Sequence, residues 1–251
     1  MPKHGLELFD LRGKNAIVTG AARGLGRGMA TALIEAGAQV LIVDYSETVA
    51  LTAKEIGAKY IQADLSDIDA LPTFFDEAVG MLGGLDILIN NAGIISRSFV
   101  EDTPFDEWRK VVNLNLDVVF RLCQLAGNIM LAQGSGKIIN IASMLSFSGG
   151  YTIASYAASK GGVAQLTKAI SNEWAGKGIC VNAIAPGYFD TVLNSALKAN
   201  EVRNKELSDR IPLGRWGVPE DLGGAAIFLS SSASDYVTGV VLPVDGGFLS
   251  R

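Results

Sequence analysis

Short, nearly continuous apolar runs alternate with longer segments of helical spacing along the whole chain. Residues 15–19, 39–44, 59–63, 85–90, 137–142, 180–184 and 240–244 read as seven strands, most of them runs of Val, Ile and Leu with little polar interruption. A strand with one wet face alternates apolar and polar positions, whereas a strand covered on both faces does not. These runs therefore predict a parallel sheet between two layers of helices. Leu25, Met29, Ala32, Leu33 and Ala36 make one helical apolar stripe, and further helices are predicted over about 105–132, 154–177 and 220–230. Pro104 and Pro219 stand where helices begin, and Gly37 and Gly178 where they end. No linker, charge run or repeat breaks the alternation. The expectation is a single α/β domain over 1–251, a doubly wound parallel sheet of about seven strands with helices on both faces. The more polar stretch 188–211 interrupts the pattern; it is expected to hold one or two small helices and to cover a ligand crevice.

In open parallel sheets ligands sit outside the carboxyl ends of the strands. The unusual polar and glycine residues of this chain gather at those ends. The first strand exits into Gly20, Arg23, Gly24, Leu25 and Gly26, and the second ends at Asp44. Asp64 and Leu65 follow the third, Asn91, Ala92 and Gly93 the fourth, Ser143 the fifth, and Pro186 and Gly187 the sixth. A glycine-rich turn between strand and helix lets backbone amides approach a pyrophosphate, with the partial positive charge of the helix start behind them. Its Gly-x-x-x-Gly-x-Gly spacing is read as a Rossmann-type dinucleotide turn because of the strand before it and the helix after it. Asp44 can accept hydrogen bonds from the adenosine ribose and would repel a 2′-phosphate, which favours NAD over NADP. Arg23 argues the other way, because a guanidinium can pair with that phosphate. Asp64 is placed to meet the adenine end.

Tyr156 and Lys160 are four residues apart on a predicted helix, so they share a face. A phenol is a poor base at neutral pH, and a neighbouring ammonium is expected to lower its pKa. Tyr156 can then exchange a proton with an alcohol or ketone oxygen. Ser143, thirteen residues earlier, is expected to hydrogen-bond that oxygen as charge develops; Ser146 and Ser148 rank below it. Asn115, polar amid Val111, Val112, Leu114, Leu116, Val118 and Val119, reads either as a satisfied core amide or as the holder of a water that links Lys160 to solvent.

Composition narrows the chemistry. Lys plus Arg is 21 and Asp plus Glu is 26, a net charge of −5 that argues against binding through nucleic-acid phosphates. The one histidine, His4, lies near the chain start, which leaves no base for a histidine-dependent triad. No metal site is expected, because no clustered ligand set exists. Cys123 and Cys180 are expected to be free thiols of a reducing compartment. The first residues include His4, Glu7 and Asp10 with no apolar run, and the longest uncharged stretch, 138–159, is too polar to span a bilayer. A cytoplasmic protein without membrane or nucleic-acid partners is expected.

These residues resemble the short-chain dehydrogenase/reductase family over essentially the whole chain. The carriers are TGAARGLG at 19–26, Asp44, NNAG at 90–93, Asn115 in VNLNL, Ser143 in NIAS, YAASK at 156–160, PG at 186–187 with Thr191 after it, RWGVPEDL at 215–222 and VDGGF at 244–248. The resemblance implies hydride transfer with a nicotinamide cofactor. It also implies catalysis by Asn115, Ser143, Tyr156 and Lys160, contact of Thr191 with the nicotinamide carboxamide, and a homotetramer. KIINIASMLSFSGG at 137–150, NEWA at 172–175, VNAIAPGY at 181–188 and IPLGRWG at 211–217 look like the sugar-acid branch of the family, acting on acids of the 2-deoxy-D-gluconate or 2-dehydro-3-deoxy-D-gluconate type. Arg97 is then the candidate partner of a substrate carboxylate, with Met144, Gly150 and Tyr188 as further pocket candidates. Gluconate 5-dehydrogenation, reduction of a 3-oxoacyl thioester or ketone, and an inactive nucleotide sensor are the competing readings.

Overall fold

The computed structural model describes residues 4–251; residues 1–3 of the expected domain lie outside the described residues. Seven parallel strands form one sheet: β1 Asn15–Thr19, β2 Gln39–Asp44, β3 Lys59–Gln62, β4 Ile87–Asn90, β5 Gly136–Ile141, β6 Ile179–Pro186 and β7 Val241–Val244. Their order is β3-β2-β1-β4-β5-β6-β7, so the chain winds outward from β1 in one direction and from β4 in the other. The register sets Val18 beside both Ile42 and Ile89, which brings the exits of β1 and β4 together. That reversal point is where such sheets open a crevice.

The helices are α1 Gly24–Glu35, α2 Val49–Ile56, α3 Leu71–Leu82, α4 Phe105–Val112, α5 Val118–Gln133, α6 Ala154–Trp174, α7 Ser195–Ala199, α8 Glu201–Asp209 and α9 Gly223–Ser230. Alternate strand residues feed two cores, because successive side chains leave a strand on opposite faces. Ile17, Leu41, Leu88, Ile138 and Val181 pack under α3, α5 and α6. Ala16, Ile42, Ile89, Ile139 and Ile184 pack under α1, α2 and α9. All seven predicted strands are present, with shifts of one or two residues at several ends.

The helix expected over 105–132 is interrupted. Asn113–Asp117 forms a π-helical turn in which the Val118 N–H donates to the Asn113 carbonyl. The whole run Phe105–Gln133 is long and apolar enough to cross a membrane by length and composition alone, and part of it packs into the core beneath the sheet. The polar stretch 188–211 holds α7 and α8. A third, smaller core of Met144, Leu207, Ile211, Trp216 and Phe248 joins that stretch to the chain end.

Candidate active site

A cavity of about 880 Å³ opens along the carboxyl ends of the strands. Its dinucleotide-sized half begins at the β1–α1 turn. α1 starts without a side-chain cap and without an acidic residue in its first turn, so its orphan N–H groups remain available to an anion. Gly24 lines the cavity at φ +57°, a left-handed conformation suited to glycine. Gly26 serves otherwise than expected. It does not line the cavity, and a Cβ there would lie 2.3 Å from the Gly20 carbonyl oxygen and 2.5 Å from Asn91 Nδ2. It is glycine because helix and turn press together.

Asn91 braces the same turn: its Nδ2 donates to the carbonyls of Thr19 (2.9 Å) and Gly20 (2.8 Å). Asp44 is fixed at the rim, accepting from the N–H groups of Ala22 and Ser46, both at 3.0 Å. Asp64 accepts from the Ser66 N–H (2.9 Å). Both acids line the cavity, as do Gly20, Arg23, Leu25, Leu65, Asn91, Ala92, Gly93, Pro186, Gly187 and Thr191. Arg23 is exposed and makes no ion pair among the described residues. Thr191 faces the turn from across the cavity, 3.7 Å from where a Gly24 Cβ would stand. An uncapped helix start, a glycine turn and a rim carboxylate make a donor set that fits a dinucleotide.

The other half collects Ser143, Tyr156, Lys160 and Arg97 on one wall. Ser143 is 6% exposed just past β5; its Oγ accepts from the Leu145 N–H (3.1 Å), and it lines the cavity with Tyr156. Ser146 is unavailable, since its hydroxyl donates to the Lys160 carbonyl (2.6 Å); Ser148 is exposed and off the cavity. Lys160 Nζ lies 5.8 Å from the Tyr156 ring centroid and donates to the Ile141 carbonyl.

The expectation that the ammonium lowers the phenol pKa is corrected. Burial pushes the Tyr156 phenol above its ordinary value, and the opposing pulls come from the Ser143 hydrogen bond and the Arg97 charge. Burial also lowers Lys160, to about 8. Asn115 has the contacts of the core amide that is one of its two readings. It is fully buried in the π-helical turn, Oδ1 accepting from the Ile94 N–H (2.9 Å) and Nδ2 donating to the Ile94 carbonyl (2.9 Å) and Ser159 Oγ (3.2 Å). These bonds clamp the β4 exit to α6, as a satisfied core amide does. Gly150 lies off the cavity, where a Cβ would press on the Ile153 side chain at 2.5 Å.

Comparison with known proteins agrees with this geometry. The family model described as Enoyl-(Acyl carrier protein) reductase matches residues 20–249. The chain belongs to the short-chain dehydrogenase/reductase family. Within this family of nicotinamide-dependent oxidoreductases, it is 49% identical to the 2-dehydro-3-deoxy-D-gluconate 5-dehydrogenase of Escherichia coli, over 98% of this chain and 99% of that protein. It is 47% identical to the Bacillus subtilis enzyme of the same name, over 98% of each. The crystal structure of a gluconate 5-dehydrogenase from Burkholderia cenocepacia, in complex with NADP and tartrate, superposes with a TM-score of 0.95 at 42% identity, covering 99% of this chain and 100% of that one.

In this short-chain dehydrogenase/reductase, several wall residues escaped the reading of the sequence. Ile94, Ile95, Leu145 and Ile153 line the cavity; their one signal was that they follow strand exits. Two loops meet over the Tyr156 end. The Ser98 N–H donates to the Thr152 carbonyl (2.8 Å), and the rings of Phe99 and Tyr151 meet edge to face at 5.8 Å. Thr152 has φ +63°, a left-handed conformation that a β-branched residue rarely adopts. The loop carrying Arg97 is thereby tied to the loop that leads into α6.

Proposed function

We propose that this protein moves a hydride between a nicotinamide coenzyme, NAD in preference to NADP, and a secondary alcohol or ketone of a small sugar acid of the 2-dehydro-3-deoxy-D-gluconate type. The observation that carries this reading is the meeting of Ser143, Tyr156 and Lys160 on one wall of a cavity whose other end is an uncapped, glycine-rich helix start. A bound nicotinamide supplies the hydride acceptor or donor. Tyr156 takes the hydroxyl proton of the alcohol, or returns it to the carbonyl oxygen in the reverse direction. Ser143 donates a hydrogen bond to the same oxygen as its charge grows. Lys160 lies buried beside the ring, and Asn115 holds the Ile94 segment in place. Arg97, exposed at the cavity wall, is the partner for the substrate carboxylate.

The coenzyme preference rests on Asp44, whose fixed carboxylate would oppose a 2′-phosphate at the rim. Arg23 and the NADP held by the Burkholderia structure weigh on the other side. Leu197 of α7 lines the cavity, which supports a covering role for the 188–211 stretch. The homotetramer expected from the sequence is tested by light scattering; exposed Phe105 and Phe120 on α4 and α5 offer apolar surface for a subunit contact. The deciding experiment assays each coenzyme against 2-dehydro-3-deoxy-D-gluconate, D-gluconate, 2-deoxy-D-gluconate and an acetoacetyl thioester. Turnover of the sugar acids with NAD is expected, and Tyr156→Phe is expected to lose at least about a hundredfold in kcat while still binding NADH. Activity confined to the thioester rejects the sugar-acid reading, and full activity of Tyr156→Phe rejects the assigned base.

A further inference from the structure

The substrate end of the cavity contains a half-buried phenol that the mechanism above does not use. Tyr188 leaves β6 just after Gly187 and lines the cavity together with Arg97, Ser143 and Tyr156. Its ring is wedged between Trp216, with centroids 5.3 Å apart, and Phe248, at 5.4 Å and nearly perpendicular. Trp216 is itself pinned, its Nε1 donating to Ser208 Oγ on α8 (3.1 Å). The ring therefore has one place to be. Its hydroxyl has no hydrogen-bond partner among the described residues.

The surroundings of that hydroxyl are cationic. The charges of Arg203, Arg210 and Arg97 all act on it, although burial outweighs them and holds the phenol above its ordinary pKa, so it remains a donor at neutral pH. Arg203 shares its charge with Glu206 (2.9 Å), and Arg210 lies over the Phe248 ring at 4.2 Å. Arg97 has no ion pair among the described residues, and it acts on the Tyr156 phenol as well. A fixed, unpartnered O–H donor in a positive field at a cavity wall suits an anionic oxygen better than a neutral one.

We propose that the Tyr188 hydroxyl donates to the carboxylate of the bound acid together with Arg97, and so sets the preference of this site for acids over neutral polyols. The proposal rests on the sugar-acid reading above and adds a specificity residue to it. The chain builds this donor from three distant segments: the β6 exit, the Trp216 loop and the C-terminal Phe248.

Tyr188→Phe removes only the oxygen and keeps the ring between Trp216 and Phe248. Calorimetry on the NADH-saturated protein compares D-gluconate, 2-dehydro-3-deoxy-D-gluconate and the uncharged D-gluconamide. The variant is expected to bind both acids about tenfold more weakly, as for loss of a hydrogen bond to a charged group, with affinity for the amide and for NADH within about twofold of wild type. Unchanged affinity for the acids overturns the proposal, as does an equal loss for acid and amide, and so does a wild-type protein that binds neither acid. Wild-type protein that binds the acids without turning them over rejects the sugar-acid dehydrogenase reading, while the comparison with Tyr188→Phe still decides the role of the hydroxyl.

Discussion

Lys160 is 3% exposed, donates to the Ile141 carbonyl and makes no ion pair among the described residues. Its pKa falls from 10.5 to about 8 because burial disfavours the charged form. Keeping the ammonium at neutral pH therefore costs the folded protein on the order of 3 kcal/mol. The unfolded chain binds the extra proton between about pH 8 and 10.5, so this penalty is full below that window and fades as pH rises through it. Lys160→Met is expected to raise unfolding stability by about 1–3 kcal/mol at pH 7, with the gain shrinking toward pH 10.5, as urea titrations at several pH values will show. The same variant should also be slower, because Tyr156 loses the buried amine beside its ring. The sequence placed these two side chains on one face of a helix. It could not show that desolvation dominates both groups, since burial is decided by β5, α6 and the Arg97 loop together.

Elements were legible where their environment is uniform. β1, β2, β4, β5 and β6 are covered on both faces and wrote themselves as apolar runs; β3, at the sheet edge, alternates half-buried and exposed positions and ends one residue short of expectation. α2 and α3 were not delimited, although α3 carried a readable helical stripe in Leu71, Phe74, Phe75, Ala78 and Leu82, all buried in the structure. The π-helical turn at 113–117 was invisible, because a single widened turn leaves the apolar pattern of VVNLNLDVV intact. Thr152 belongs to the same class of hidden feature: nothing in Gly-Tyr-Thr-Ile announces a left-handed threonine. Asparagine tolerates that conformation better. Thr152→Asn is expected to stabilise the fold by about 1 kcal/mol, read as a higher urea midpoint at constant m-value.

Across the whole molecule, stability and chemistry are spatially separated. Phe75 on α3 is 1% exposed and meets Phe74 edge to face at 6.4 Å, outside the cavity wall. Phe75→Ala is expected to cost about 3–5 kcal/mol in denaturant unfolding while the folded fraction keeps wild-type KM values. The strand-exit rule located most of the cavity from sequence, since Gly20, Asp44, Asn91, Ser143 and Gly187 do share one rim. Arg97 and Tyr188 were pocket candidates; what the sequence could not show is tertiary, the packing of the Tyr188 ring against Phe248, made only once the β6 exit and the chain end have folded together. The bridge between Ser98 and Thr152 makes the two loops over Tyr156 behave as a single arch. Attempts to retarget the enzyme toward new acids should therefore randomise 95–99 and 147–152 in one library, because a change in either span alone will be resisted by its tether to the other.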